Sequence, residues 1–272
     1  EPFEIESGDY VLTLTAADDV SNVLFRSNKM SLSERTSLLF ILQDPDPSIT
    51  SNLSVQRVSR NGSSVSLTDS RFPPTRRFFH AARGTTNVDV FVDDDFSAPV
   101  AGDLAYGAVS ADVAVPAGDS NYTFTQAGNM GAIVHEEEDS AAGNSRSTAF
   151  LAGAPGDVTM LSARDDRRPI AGLARLRITL ISENIEQADL WLLKAGTALA
   201  DSNPTLPAFG TGNTSGYLQF QPGSYELTVT FGDDDTVAAG PFPLDLAKGD
   251  AVELVVIDTA DPNVLDIVVY DP

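Results

Sequence analysis

Apolar and polar positions alternate with a period of two along much of the chain, and clusters of turn-forming residues interrupt the alternation. The clearest alternating stretches are residues 10–15, 87–92, 175–181, 225–230 and 251–257. Because successive side chains of a strand point to opposite faces of a sheet, this period predicts half-buried β-strands. Val, Ile, Thr, Phe and Tyr fill the stretches, and Gly, Pro, Asp and Asn separate them, as strands and their turns require.

One local pattern occurs three times, at residues 5–14, 115–124 and 220–229. Each copy has the end of a strand, a turn containing glycine, and then an alternating strand that carries a tyrosine. The turn glycines are Gly8, Gly118 and Gly223, so the spacings are 118 − 8 = 110 and 223 − 118 = 105 residues. These spacings are the length of a domain rather than of a solenoid repeat, and they predict an array of similar β-domains.

The repeats predict tandem immunoglobulin-like antiparallel β-sandwich domains in an all-β chain. Six or seven strands in about 100 residues, with turns every 8–12 residues, are typical of such a sandwich. The predicted boundaries are 1–71 for the C-terminal part of a first repeat, 76–168 for a second and 173–272 for a third. The first repeat lacks the strands that open the other two, so we expect either upstream residues or another chain to complete it.

The acidic composition limits the partners. The net charge is −22 and the pI about 4.1, so the chain repels nucleic acid and anionic membrane surfaces at neutral pH. Cysteine is absent, which excludes disulfides, thiolate metal sites and cysteine nucleophiles. The sequence has no apolar run of about 18 residues, and we therefore expect no membrane insertion.

Acidic turns are the strongest candidates for a binding site. Asp93, Asp94 and Asp95 form one cluster, and Asp233, Asp234 and Asp235 form another. Calcium takes six to eight oxygen ligands, which turn carboxylates and carbonyls can supply, so calcium is the one candidate cofactor. The alternative is that aspartate is simply a good turn residue on an acidic surface.

The remaining candidates have plain structural interpretations. We expect His80 to be hydrogen-bonded near the end of a strand, and His135, which precedes acidic residues, to lie on a solvated edge. Trp191 lies in an alternating strand, which favours the core over a sugar-stacking surface. Motifs of serine hydrolases, phosphate-binding loops and zinc proteases are missing, so we expect no enzyme, although a carboxylate pair of the glycosidase type stays open.

The second repeat resembles domain-of-unknown-function family 4397. The residues that carry the resemblance are Arg77-Phe78-Phe79-His80-Ala81, Val88-Asp89-Val90-Phe91-Val92-Asp93, Tyr106-Gly107 and Val115-Pro116-Ala117-Gly118. Family repeats typically show His-Ala-Ser-Pro, Val-Asp-Val-Tyr-Val-Asp-Gly, Tyr-Gly and Val-Pro-Ala-Gly in this order. Ala82-Arg83 and Asp94 depart from the pattern at its turns.

The resemblance implies exported bacterial proteins, often tandem, in a periplasmic, cell-surface or extracellular location and without an established activity. With the composition, it predicts a non-enzymatic tandem β-sandwich protein with a binding, adhesion or structural role at the cell envelope. The expected partner is a protein or a glycan. The alternative is a calcium- or carbohydrate-binding module that uses its acidic turns.

Overall fold

The structure is a computed structural model that describes residues 4–44, 53–167, 169–232 and 236–270. Within these ranges the regular elements are β-strands and one 3₁₀ turn at Leu199–Asp201, with no α-helix. The strands up to residue 71 are β1 (Gly8–Tyr10), β2 (Thr13–Ala16), β3 (Asp19–Arg26), β4 (Met30–Leu32), β5 (Leu38–Gln43), β6 (Ser54–Ser59) and β7 (Ser64–Leu67). The all-β fold class is confirmed.

The strands of the second and third repeats follow the alternation in the sequence. The second repeat has β8 (Thr75–Ala81), β9 (Val88–Val92), β10 (Ala101–Leu104), β11 (Val113–Ala114), β12 (Gly118–Gln126), β13 (Asn129–Ala141), β14 (Arg146–Ala154) and β15 (Asp157–Arg164). The third has β16 (Ala174–Ile181), β17 (Gln187–Lys194), β18 (Leu206–Gly210), β19 (Leu218–Phe220), β20 (Gly223–Phe231), β21 (Val237–Leu246), β22 (Ala251–Asp258) and β23 (Leu265–Tyr270).

The chain forms two compact units. The first contains Glu1–Arg76, Asp112–Ser120 and Glu138–Ser147, and the second contains Arg77–Ala111, Asn121–Glu137 and Thr148–Pro272. The predicted domain boundaries stay predictions.

The first unit contains small sheets with the orders β1-β4, β2-β3 and β5-β6-β7. The buried carboxylate of Asp69 joins the end of this segment to β3, because it accepts the N–H of Arg26 at 3.3 Å and pairs with Arg71 at 2.6 Å. Arg71 also donates to the backbone carbonyl of Leu24 at 2.7 Å.

The strands of the second repeat form two four-stranded sheets, with the orders β10-β9-β12-β13 and β11-β8-β14-β15. Phe78 of β8 contacts Tyr122 and Phe124 of β12, with ring centroids 6.0 Å apart in both pairs. An aromatic core therefore fills the space between the two sheets, as in a β-sandwich.

The strands of the third repeat form a second sandwich, with the sheets β19-β16-β22-β23 and β18-β17-β20-β21. Alternate residues of both sheets meet in one apolar core, among them Leu176, Ile178, Leu190, Leu227 and Leu254.

The tyrosine of the repeated turn has a structural role. The hydroxyl of Tyr225 donates to the carbonyl of Gln221 at 2.8 Å, and the hydroxyl of Tyr10 donates to the carbonyl of Glu6 at 2.7 Å. Each bond closes back over four residues, in the manner of the tyrosine corner of immunoglobulin-like sandwiches. In these two copies the tyrosine therefore fixes the turn that leads into β1 or β20.

The pairing of β16 with β22 departs from the antiparallel pattern. β16 and β22 run parallel, in register from Arg175↔Ala251 to Ile181↔Ile257. All eight residues of β16 are buried, and so are seven of the eight in β22. Strands in such a pair are usually covered on both faces.

Candidate functional site

The first acidic cluster forms a turn after β9. Oδ1 of Asp93 accepts the N–H of Asn121 at 3.0 Å, and the N–H of Asp93 donates to the carbonyl of Asn121 at 2.9 Å. Oδ1 of Asp95 accepts the N–H of Ser97 at 3.1 Å, and the hydrogen bonds from Ser97 lower the pKa of Asp95. The carboxylate of Asp95 therefore holds its own turn, and the carboxylate of Asp93 ties that turn to β12.

Asp233, Asp234 and Asp235 lie outside the described residues. Across the residues that the structure does describe, no three His, Asp or Glu side chains converge into a group that could hold a metal ion. Calcium binding by either cluster stays a prediction.

His135 lies close to an acidic side chain of its own strand. Its Nε2 lies 3.0 Å from Oε2 of Glu137, two residues further along the same face of β13. The same oxygen of Glu137 accepts the N–H of Met160 at 3.1 Å. This arrangement holds β13 against β15.

His80 is buried near the end of β8 and hydrogen-bonded, as predicted. Its Nδ1 accepts the N–H of Ala82 at 3.3 Å, so Nε2 carries the proton and lies 3.2 Å from the carbonyl of Thr86. Burial lowers the pKa of His80 below its ordinary value of 6.5. The neutral imidazole thus pins the loop that connects β8 to β9.

The aspartate of the Val88-Asp89-Val90 motif also has a structural role. Oδ1 of Asp89 accepts the N–H of Asp103 at 2.8 Å, and Oδ2 accepts the N–H of Gly128 at 2.8 Å. Both carboxylate oxygens accept hydrogen bonds from neighbouring backbone, so this buried group ties β9 to the adjoining segments.

Trp191 is buried, with 6% of its surface exposed, as predicted. Its Nε1–H donates to Oγ1 of Thr230 at 3.0 Å. However, the flanking residues Leu190 and Leu192 belong to the core of the sandwich, so Trp191 faces the opposite side of its sheet.

A buried apolar contact joins the two sandwiches of the second unit. An apolar cluster lies between sheet β11-β8-β14-β15 and sheet β19-β16-β22-β23, and it contains Phe79, Ala81, Phe150, Ala152, Ile181, Val255, Ile257 and Tyr270. The rings of Phe79 and Tyr270 are 5.9 Å apart. This contact is the second cover of β16 and β22, and burying each large side chain contributes roughly 1.5–3 kcal/mol.

A group of charged and hydroxyl-bearing side chains adjoins this cluster and is here called the junction network; all of them are buried except Tyr217, which is half-buried. Its members are Arg77, Thr148, Asp165, Arg177, Tyr217, Glu253 and Tyr270. Nη2 of Arg177 lies 2.5 Å from Oδ1 of Asp165 and 2.6 Å from Oε2 of Glu253.

The rest of the junction network saturates the two carboxylates. Tyr217 donates to Oε1 of Glu253, and Tyr270 donates to Oε2 at 2.8 Å. On the other side, Asp165 accepts the hydroxyl of Thr148 at 3.1 Å and lies 3.4 Å from Nη2 of Arg77. The guanidinium of Arg77 also lies 4.8 Å above the ring of Tyr270.

The junction network is balanced in charge, because two arginines face two carboxylates. Although burial alone would lower the pKa of Arg177, the charge of Glu253 raises it above its ordinary value. Burial and then the charge of Glu253 raise the pKa of Tyr270, so its hydroxyl stays protonated and donating. Buried charges of this kind are stable only while every partner is in place. The network therefore stabilises the contact between the two sandwiches as long as it is complete.

Residues 75–191 match the family model described as "Domain of unknown function (DUF4397)". This segment belongs to the DUF4397 family. It begins with β8 and ends at Trp191 in β17, so it includes His80, Asp89, Asp165 and Arg177.

Among solved structures, one similar chain is described as "Alpha-glucan binding by a streptococcal virulence factor". It is 13% identical, the match covers 67% of this chain and 93% of that chain, and the TM-score is 0.25. No curated protein matches the sequence. No helix in the described residues is long and apolar enough to cross a membrane.

Sequence reasoning missed the junction network. Its signal was present as charged residues inside otherwise apolar strands, namely Arg175 and Arg177 in β16 and Glu253 in β22. A charge at such a position predicts a buried partner, because unpaired charges are excluded from protein interiors. The partner Asp165 lies in the segment after β15, where the sequence shows no alternation of apolar and polar residues that would predict its burial.

Proposed function

We propose that this protein is a non-enzymatic, exported tandem β-sandwich that holds binding surfaces at a fixed spacing at the cell envelope. The observation that carries the proposal is the contact between the two sandwiches of the second unit. There an apolar cluster and the junction network lie between the two facing sheets. Interfaces of this kind suppress the relative motion that is otherwise the default between domains.

The chemistry of the buried groups supports a non-enzymatic role. Asp165, Glu253 and His80 are the buried groups that most resemble catalytic acids or bases, and each is fully engaged by neighbouring protein groups. The exported location and the partner class, a protein or a glycan, rest on the family resemblance and on the acidic surface.

The rigidity can be tested with spin labels on the second unit. The chain has no cysteine, so Ala98→Cys and Asn203→Cys place one label on each sandwich at exposed positions. We expect a single narrow distance distribution by pulsed electron paramagnetic resonance. A broad distribution would contradict a spacer, and turnover of glycoside, peptide or ester substrates would contradict the non-enzymatic role.

A further inference from the structure

Exposed apolar side chains are concentrated in the segment before residue 68. The strongly exposed large apolar residues there are Ile5, Val11, Val20, Leu39, Ile41, Leu42 and Val65. The buried hydrophobic residues described in that segment are Phe25, Met30 and Val55. Soluble proteins rarely leave so much apolar surface open unless another surface covers it.

Strand β5 has the sequence of a central strand but the surroundings of an edge strand. Its residues 38–42 are all apolar, which is typical of a strand covered on both faces. Leu39 is nevertheless 59% exposed and Leu42 is 55% exposed. Among the strands that the structure describes, β5 pairs with β6 alone.

The corresponding strands of the other repeats are central. β14 lies between β8 and β15, and β22 lies between β16 and β23. In these two repeats the first strand, β8 or β16, occupies the side that is open in β5. In the third repeat this first strand, β16, runs parallel to β22.

The second sheet of the first repeat shows the same difference. The hairpin β2-β3 corresponds to β12-β13 and to β20-β21, but β12 also pairs with β9, and β20 also pairs with β17. In the described part of the first repeat, β2 pairs with β3 alone. Two open edges in two sheets thus correspond to one missing half-repeat, equivalent to β8-β9 or β16-β17.

We propose that β5 and β2 form an acceptor site for the first half of a DUF4397-like repeat supplied by polypeptide outside residues 1–272. The first donor strand pairs in parallel with β5, as β16 does with β22, and the second pairs antiparallel with β2, as β9 does with β12. A second copy of this chain is not the occupant, because its β8-β9 and β16-β17 are already built into their own sandwiches.

The donor is defined by the two half-repeats in this chain. Its first strand is buried on both faces and carries arginine, as in Thr75–Ala81 and Ala174–Ile181. Its second strand alternates and carries aspartate on the outer face, as Asp89 and Asp189 do. Adding such a strand forms hydrogen bonds with the backbone N–H and C=O groups of the open edge. It also covers the exposed apolar side chains beside that edge.

The test joins a donor to the whole chain. Residues 75–95 or residues 173–197 are fused by a flexible linker in front of residue 4, and a scrambled donor of the same composition is the control. We expect at least one native donor to slow amide hydrogen exchange in β5 at least about tenfold and to lower the fluorescence of a bound hydrophobic dye. No protection with either native donor overturns the proposal.

Variants of the acceptor give the matched control. Leu42→Asp on β5 is expected to abolish the donor-dependent protection, whereas Ile133→Asp, at a residue of similar exposure on edge strand β13, leaves it intact. If the unfused chain dimerises and its β5 is already protected in the dimer, the occupant is a second copy and the proposal is wrong.

Discussion

Asp189 of β17 has the same role in its sandwich as Asp89 of β9 has in the preceding one. Oδ1 of Asp189 accepts the N–H of Ala208 at 2.6 Å, just as Oδ1 of Asp89 accepts the N–H of Asp103 at 2.8 Å. Ala208 and Asp103 have φ angles of 47° and 50°, and both pairings contain a register shift. The aspartate of the family motif therefore stabilises a bulged edge strand in each sandwich.

We expect Asp189→Ala to destabilise the protein by about 1–2 kcal/mol, because the backbone N–H of Ala208 loses a charged acceptor. Urea unfolding followed by circular dichroism measures the change. Asp201→Ala, at an exposed position, is the control and should change the free energy of unfolding by less than about 0.5 kcal/mol. Equal effects of the two substitutions would show that the bulge does not depend on Asp189.

The junction network should be sensitive to the loss of a single partner. Arg177→Met leaves Asp165 and Glu253 buried without their shared cation, and breaking a buried pair in this way costs about 3–5 kcal/mol. Calorimetry should show a clear fall in the melting temperature. The control is Arg60→Met at an exposed position, for which we expect little change. A similar small change for Arg177→Met would mean that the network contributes nothing to stability.

Much of the fold followed from periodicity and turn residues, since the strands of both complete sandwiches match the predicted alternating stretches. The parallel pairing of β16 with β22 did not, because periodicity reports which faces are buried and not which strand is the neighbour. Trp191 shows the same limit: its burial was predicted, but the alternation of Leu190 and Leu192 places it away from the main core.

The candidate site was harder to predict than the fold. Aspartate is common in turns whether or not it binds an ion, so the sequence at Asp93–Asp95 fits a calcium site and a turn held by hydrogen bonds to N–H groups equally well. Arg177 and Asp165 are twelve residues apart and meet only through the packing of two sandwiches. Such a meeting depends on tertiary structure that local sequence does not encode.

The stability of the fold should depend on pH through His80. The folded pKa of His80 is lowered by burial, so the unfolded state binds the proton more readily. Its contribution is present in full above the ordinary pKa of 6.5 and is lost as the pH falls below that value towards the folded pKa, with a slope of at most about 1.4 kcal/mol per pH unit.

Chemical denaturation between pH 7.5 and pH 5 measures this dependence. We expect His80→Gln to be less stable than the wild type at pH 7.5 but to lose less stability on acidification over this interval. His135→Gln, at the partly exposed histidine, is the matched control. An unchanged pH dependence in His80→Gln would exclude His80 as its source.

Two glycines of the β14–β15 hairpin share a positive φ angle but differ in the space around them. Gly153 and Gly156 both have positive φ angles, 103° and 93°. A Cβ at Gly153 would lie 2.2 Å from the carbonyl oxygen of Asp157, whereas a Cβ at Gly156 would meet nothing within 4 Å. Gly156→Ala should therefore cost only the strain of the left-handed region, about 1–2 kcal/mol, whereas Gly153→Ala must also displace the opposite strand. We expect Gly153→Ala to cost at least about 2 kcal/mol more in urea unfolding. Equal costs for the two variants would show that the hairpin opens freely at Asp157 and that the close approach is not a constraint on the sequence.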